Sequence, residues 1–199
     1  MELLLIRHGQ SEADLLGVHE GKADFPLTEL GQRQAKKMAH YVTQFFPPDL
    51  IVTSPLIRAK HTALLLQNSV GCELLEENDL KEYDNGVLAG LTKEAAAIQY
   101  PLPKNGRPFH IPIQEGESEL EFRFRAERIF HKIMSDYHHC NRIAIVSHGG
   151  LISNLLKAFL KLPNTHEFAF PTGDTGIHLL EIKETVRVVK FLNRQEHLL

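Results

Sequence analysis

Two histidine–glycine pairs follow short apolar runs in this chain. Residues 3–6 run directly into Arg7-His8-Gly9, and residues 143–146 are followed by Ser147-His148-Gly149. A short continuous apolar run is typical of a buried strand in a parallel sheet. Because ligands bind beyond the carboxyl ends of such strands, we expect His8 and His148 to face one pocket. An imidazole there can serve as nucleophile, acid, base or metal ligand.

Two arginines are expected at the same edge of the sheet. Arg7 precedes His8, and Arg58 lies near the start of a helix predicted after the strand at 49–54. Arginine binds phosphate oxygens through a bidentate fork, and helix N-termini offer free N–H groups to anions. Together these groups indicate a phosphate site.

A metal site is the chemical alternative that the residues leave open. His8, His148, Asp14 and Glu82 all carry side chains that bind metal ions. Arginines are unfavourable near a bound cation, but spacing alone does not decide between the two kinds of site.

The composition is that of an ordinary water-soluble globular protein. The 199 residues are 43% hydrophobic and 24% charged, with a net charge of −3, so neither nucleic acid nor a membrane is an expected partner. Arg7 interrupts the apolar start after four residues, which is too short for a signal peptide. Cys72 and Cys140 are too few for a disulfide framework and favour a reducing, cytoplasmic location.

The predicted elements alternate, which indicates an α/β fold: a single three-layer domain, 1–199, with a mostly parallel central sheet flanked by helices. We predict Ser54 as the N-cap of the helix at 55–69, and the charged run 121–128 as a solvated helix face. The predicted strands are 2–6, 49–54, 73–75, 142–147 and two within 175–192; the predicted helices are 28–46, 55–69, 92–99, 117–138 and 150–162; and 101–116 is a surface loop.

Five segments in order resemble the histidine phosphatase superfamily, also called the phosphoglycerate mutase-like family. They are LLIRHGQSEAD, GKADFPLTELG, TSPLIRAKHTA, LKEYDNGVLAGLT and IVSHGG, and they extend over nearly the whole chain. The resemblance implies that His8 is a nucleophile that forms a phosphohistidine. It implies that Arg7, Arg58 and His148 hold the phosphoryl oxygens, and that Glu82 protonates the leaving oxygen and then activates water. No metal and no cofactor are expected.

The same resemblance implies an outer substrate shell. Two of its members depart from the family, which usually has Asn at Asp14, and mutases have Thr at Glu20. An ionised Asp14 repels a phosphate dianion unless it turns away or pairs with a cation. The implied substrate-binding residues are Gly9, Gln10, Ser11, Asp14, Glu20, Gly21 and Gly149.

Three comparisons favour the phosphatase branch over the mutases. The mutases follow their acid with Arg-His-Tyr-Gly, where this chain has Tyr83-Asp84-Asn85-Gly86, and they carry Asn at Gly150. They also have a longer insertion with paired arginines, where this chain has the proline-rich loop 101–116.

We therefore predict a metal-independent phosphomonoesterase acting on a small phosphorylated substrate. A phosphoglycerate mutase or sugar bisphosphatase is the alternative within the family, and a non-catalytic phosphate- or phosphoprotein-binding module is the alternative of another class. A homodimer is compatible with the sequence, which fixes neither the oligomeric state nor the substrate.

Overall fold

The computed structural model describes residues 1–165 and 167–199. No helix in these two ranges is long and apolar enough to cross a membrane. The strands are β1 Glu2–Arg7, β2 Leu50–Thr53, β3 Glu73–Glu76, β4 Arg142–Ser147, β5 Ile177–Lys183 and β6 Val186–Arg194. The α-helices are α1 Glu12–Leu16, α2 Glu29–Phe45, α3 Ile57–Val70, α4 Lys93–Gln99, α5 Glu119–Asp136 and α6 Gly149–Phe159, with 3₁₀ turns at Asn78–Leu80, Gly86–Leu88 and Glu196–Leu198.

The six strands form one sheet in the order β3-β2-β4-β1-β5-β6. The pairs β2–β3, β2–β4 and β1–β4 are parallel, whereas β5 and β6 add an antiparallel edge. This architecture confirms the predicted α/β fold with a mostly parallel sheet. It places the carboxyl ends of β1, β2 and β4 side by side.

Helices cover both faces of the sheet, which gives the predicted three layers. Alternate residues of β1 enter different cores: Leu3 and Leu5 pack with residues of α5 and α6, while Leu4 and Ile6 pack with residues of α2 and α3. Because both faces are covered, the central strands are continuous apolar runs rather than alternating ones.

The start of α3 differs from the prediction. The N-cap is Leu56 and the helix begins at Ile57, so Ser54 is not the cap. The Ser54 hydroxyl lies within 2.8 Å of His148 Nε2 and accepts a bond from the Leu56 amide. Ser54 therefore belongs to the site rather than to the helix end.

The charged run at 121–128 is not a uniformly solvated helix face, so that prediction is wrong for two of its arginines. The Arg123 and Arg125 side chains are 6% and 12% exposed, whereas Arg128 is 56% exposed. Arg123 donates to the backbone oxygens of Asn154 and Leu162. These two arginines are shielded because they bond to main-chain oxygens of neighbouring segments.

Candidate active site

The two histidines lie together at the carboxyl ends of adjacent strands. Strands β1 and β4 pair in a register that sets Arg7 opposite Ser147, so His8 and His148 are the next residues on each. Their ring centroids are 5.1 Å apart. The prediction that the two histidines share one site is thereby confirmed.

The His8 ring is buried and held in one tautomer. Its Nδ1 lies 2.7 Å from the Gly9 carbonyl oxygen, and because a carbonyl only accepts, Nδ1 carries the proton. The lone pair is therefore on Nε2, towards which Arg58 Nε donates at 3.3 Å. Burial, with the charges of Arg58 and Arg7, lowers the pKa of His8 well below its ordinary value. The ring is a neutral imidazole with an available lone pair.

Close backbone contact fixes the loop that carries His8. A Cβ on Gly9 would lie 2.4 Å from the Gly31 carbonyl oxygen, so only glycine fits against the first turn of α2. The Gln10 side chain accepts a bond from the Thr28 hydroxyl at 2.9 Å. Gln10 thus ties this loop to α2, and its side-chain bond is directed to that helix rather than to the histidines.

Arg58 is a completely buried cation beside His8. Its Nη atoms donate to the carbonyl oxygens of Ala23 and Gly21 at 2.8 and 2.7 Å. Its Nε lies 3.1 Å from Glu20 Oε2, which is 3.9 Å from His8 Nε2. Burial raises the pKa of Glu20, while the charge of Arg58 opposes that change. A protein carboxylate therefore lies next to His8 Nε2.

Arg7 is paired with two carboxylates and a carbonyl. Its Nη1 donates to the Thr172 oxygen at 2.8 Å, and its Nη2 lies 3.3 Å from Asp14 and 3.4 Å from Asp174. Asp14 thus pairs with a cation, which is one of the two ways of avoiding repulsion of a phosphate. Its other oxygen caps α1 by accepting from the Ser11 backbone and hydroxyl. Ser11 and Asp14 serve that helix start as well as the site.

His148 presents a buried nitrogen with no partner. Its Nε2 is 2.8 Å from Ser54 Oγ, whereas Nδ1 has no hydrogen-bond partner in the described ranges. Arg7 Nε is likewise buried and unpartnered there. Burial and the charge of Arg58 lower the pKa of His148 well below its ordinary value. Because unpaired buried polar groups are costly, these two nitrogens indicate where a ligand binds.

Glu82 lies at the N-terminus of α6. Its carboxylate accepts from the amides of Tyr83, Gly150 and Leu151 at 2.9, 2.8 and 3.1 Å. A Cβ on residue 150 would come within 2.6 Å of Glu82 Oε1. The glycine at 150 therefore lets the carboxylate rest on the helix, and a larger residue there displaces it.

Two further predicted site residues, Gly21 and Gly149, lie in the loop that binds Arg58 and at the start of α6. Gly21 has φ +51° and offers its carbonyl to Arg58. Gly149 is the first residue of α6, and the nearest atoms to a Cβ built on it are those of the Arg7 side chain, at 3.9 Å. Asp174, which sequence reasoning missed, lies in a Thr/Gly/Asp turn that no motif distinguishes.

A metal-binding group is absent from the described part of the chain: no three His, Cys, Asp or Glu side chains are arranged to hold an ion. Asp14 is engaged with Arg7, and Glu82 with three amides. Both of these candidate ligands thus already have partners within the protein.

Comparison with known proteins agrees with this geometry. The model of the histidine phosphatase superfamily (branch 1) matches residues 3–195. PhoE of Bacillus subtilis, named an uncharacterized phosphatase, is 35% identical over 152 residues, covering 76% of this chain and 74% of its own. A 2,3-bisphosphoglycerate-dependent phosphoglycerate mutase of Rhizobium etli is 29% identical, with 92% of each chain covered. The solved alpha-ribazole phosphatase of Shigella flexneri superposes with a TM-score of 0.84 at 27% identity, covering 98% of this chain and 97% of that one.

The site brings two arginines and two histidines together at the carboxyl ends of the parallel strands. The chain belongs to the histidine phosphatase superfamily. These comparisons confirm the predicted family and the phosphoglycerate mutase-like fold. They also confirm the predicted enzyme class, a phosphatase acting on phosphate esters.

Proposed function

We propose that the protein is a metal-independent phosphomonoesterase that works through a phosphohistidine on His8. The observation that carries this proposal is the pair of buried, unpartnered nitrogens, Arg7 Nε and His148 Nδ1, beside the His8 lone pair. With the Ser54 hydroxyl donating to Nε2, Nδ1 of His148 carries a proton that can bind a phosphoryl oxygen. Donors already in place for the developing charge are the largest contributors to this type of catalysis.

In the first step, His8 Nε2 attacks phosphorus and the ester oxygen departs. The lone pair needs no base, because the proton already resides on Nδ1. Arg7, Arg58 and His148 hold the three equatorial oxygens as the charge spreads over them. Glu82, carrying a proton, donates it to the leaving oxygen.

In the second step, water attacks the phosphohistidine and regenerates His8. Glu82, now a carboxylate, takes a proton from that water. Acid–base assistance of this type contributes roughly two to four powers of ten in rate. In the free protein, the amides of Gly150 and Leu151 hold the Glu82 carboxyl group at the N-terminus of α6.

A mutase or sugar bisphosphatase must also hold a second anionic group near the phosphate. Beside the Tyr83-Asp84-Asn85 segment, Lys22 Nζ lies 3.0 Å from Asp84 Oδ2. This pairing neutralises the positive charge that a second anion requires. It favours a substrate with a single phosphate, and the nucleophile and acid favour catalysis over mere phosphate binding.

We also propose a cytoplasmic location, a small phosphorylated substrate as the partner, and no nucleic acid. Both cysteines, Cys72 and Cys140, are free thiols in the structure, which suits a reducing compartment. The outer shell of Gly9, Ser11, Glu20, Gly21 and Gly149 surrounds the phosphate in this proposal.

The proposal is tested by trapping the intermediate. Glu82→Gln keeps the size of the side chain but removes the base, so phosphorylation by p-nitrophenyl phosphate should outpace hydrolysis. After a rapid alkaline quench, in which phosphohistidine survives, mass spectrometry should find one phosphoryl group on the peptide containing His8. The Glu82→Gln, His8→Ala protein should carry none.

Two outcomes would contradict the proposal. A phosphoryl group on His148 would reverse the roles of the histidines. Measurable turnover without any phosphoenzyme would favour direct attack by water.

A further inference from the structure

One largely buried arginine, Arg125, binds the backbone of Glu82 and of the segment just before it. Nη1 of Arg125 donates to the carbonyl oxygens of Asp79 and Lys81 at 2.8 and 2.7 Å. Nη2 donates to the Glu82 carbonyl at 3.1 Å and to Glu117 at 2.5 Å, and Nε donates to Glu117 at 3.3 Å. These bonds engage all five N–H groups of the guanidinium.

Glu117 completes this arrangement from the other side. Both of its oxygens accept from Arg125, and Oε1 also accepts from the Asp84 amide at 2.8 Å. The Arg125–Glu117 pair thus holds main-chain atoms of Asp79, Lys81, Glu82 and Asp84. Apart from the 3₁₀ turn Asn78–Leu80, this stretch has no regular structure of its own. The carbonyls of Asp79, Lys81 and Glu82 therefore depend on the Arg125 side chain for partners.

The pair is well protected from water. Both side chains are 12% exposed, and the Arg125 guanidinium lies 4.9 Å from the centroid of the Phe122 ring. In such an environment the bonds are strong, and removing one partner is costly. Only a planar fork can reach three carbonyls and a carboxylate at once, which the point charge of lysine cannot do.

We propose that Arg125, supported by Glu117, is a positioning residue for the Glu82 carboxylate. It fixes the main chain of Glu82 against α5, while the carboxylate itself rests on the N-terminus of α6. Arg125 does not touch the phosphate in this proposal. It acts only through Glu82, and the inference therefore rests on the acid–base role proposed for that residue.

A matched control is available one turn along the same helix. Arg128 binds the Asp79 carboxylate with two bonds of 3.1 and 2.9 Å, but makes no bond to the Glu82 backbone. It tethers the same segment from an exposed position. Arg125→Lys and Arg128→Lys each remove a forked arginine contact with this segment. Only the Arg125 contact includes a bond to the Glu82 carbonyl.

The first experiment compares two substrates that differ in their need for an acid. Phenyl phosphate has a leaving group that requires a proton, and p-nitrophenyl phosphate has one that does not. We expect Arg125→Lys to lower kcat for phenyl phosphate by about tenfold or more, with KM changed less than about threefold. With p-nitrophenyl phosphate, a pre-steady-state burst of nitrophenolate should appear as hydrolysis of the phosphoenzyme slows. Arg128→Lys should match the wild type on both substrates.

A purely structural role for Arg125 gives a different result. Activity on both substrates would then fall by the same factor as folded protein is lost, with no burst. Thermal unfolding of each variant measures that loss directly. Glu117→Gln, which keeps the shape of the pair, provides a second variant if Arg125→Lys does not fold, and should show the same substrate dependence in weaker form.

A double-mutant comparison separates this inference from the proposed function. If Arg125 acts through Glu82, Glu82→Gln with Arg125→Lys should be no slower than Glu82→Gln alone. If the double variant is instead slowed by the product of the two single-variant factors, the positioning role is overturned and the role of Glu82 is left intact. A Glu82→Gln enzyme as fast as the wild type on phenyl phosphate would overturn the proposed function itself, and this inference with it.

Discussion

The carboxylate of Glu20 should weaken phosphate binding, and its removal should strengthen it. Glu20 Oε2 pairs with Arg58 at 3.1 Å and lies 3.9 Å from His8 Nε2, the nitrogen that attacks phosphorus in the proposed reaction. Two unit charges about 4 Å apart repel each other by about 4 kcal/mol at an effective dielectric constant of about 20. A phosphoryl group on His8 therefore requires Glu20 to move away or take up a proton.

The change to make is Glu20→Gln, which keeps the size of the side chain and an oxygen for Arg58. Even if movement of Glu20 relieves most of the repulsion, about 1.4 kcal/mol remaining corresponds to tenfold in affinity. We therefore expect inorganic phosphate to inhibit the variant at least about tenfold more tightly at neutral pH. The assay is competitive inhibition of p-nitrophenyl phosphate hydrolysis, and Glu29→Gln, at a position 94% exposed, is the control.

The pH dependence gives a second measurement of the same effect. Burial raises the pKa of Glu20, although its neighbours Arg58, Ser11 and Arg7 oppose this and Asp14 adds to it. Below that pKa Glu20 is protonated and neutral, so wild type and variant should bind phosphate alike. As the pH rises through the pKa of Glu20, the wild type should lose affinity for phosphate, whereas Glu20→Gln should not. Weaker binding by Glu20→Gln at every pH would refute this reasoning and show that Glu20 holds Arg58 in place.

Three further predictions follow from the site and the fold. Hydrolysis of p-nitrophenyl phosphate should continue in excess chelator, because arginines and histidines rather than a metal hold the phosphate; loss of activity restored by a divalent ion would contradict this. Given 3-phosphoglycerate with a trace of the 2,3-bisphosphate, the enzyme should release phosphate or do nothing, because Asp84 neutralises Lys22; isomerisation faster than phosphate release would indicate a mutase. Burial lowers the pKa of His178 to about 4 in the folded protein, whereas the same side chain in the unfolded chain has a pKa of about 6.5. Between pH 7 and pH 5 only the unfolded chain is protonated at this histidine, so the free energy of unfolding should fall by about 2 kcal/mol because of His178. Urea unfolding at pH 7 and pH 5 measures this: the fall in the free energy of unfolding should be about 2 kcal/mol smaller in His178→Gln than in the wild type. Equal falls in the two proteins would rule out a contribution from His178.

The positions of the two histidines were predictable because parallel strands impose a simple rule on the chain. Short apolar runs identify buried strands, and the next residues must lie at their carboxyl ends, which was sufficient to bring His8 and His148 together. Choosing Glu82 among its acidic neighbours required the family resemblance. No spacing pattern in that segment indicates that its carboxylate reaches the N-terminus of α6.

Side-chain partners across the fold were not predictable, since they depend on contacts distant in sequence. Ser54 has the residue type of a helix cap, but a histidine 94 positions away provides its partner. Arg125 has the local sequence of a solvated helix face, yet three backbone carbonyls 43 to 46 residues earlier bind it. Local propensity describes a residue with its neighbours, whereas tertiary packing determines which polar groups become buried.

The bond from His8 Nδ1 to the Gly9 carbonyl also bears on how long a phosphoenzyme lasts. On the proposed route the ring keeps that proton when Nε2 bonds to phosphorus, so the ring becomes an imidazolium. A cationic ring is a far better leaving group than a neutral one, and its bond to the carbonyl becomes charge-assisted and stronger. On that route, the contact that prepares the nucleophile also makes the phosphorus–nitrogen bond easy to break, which favours hydrolysis of the intermediate over its storage.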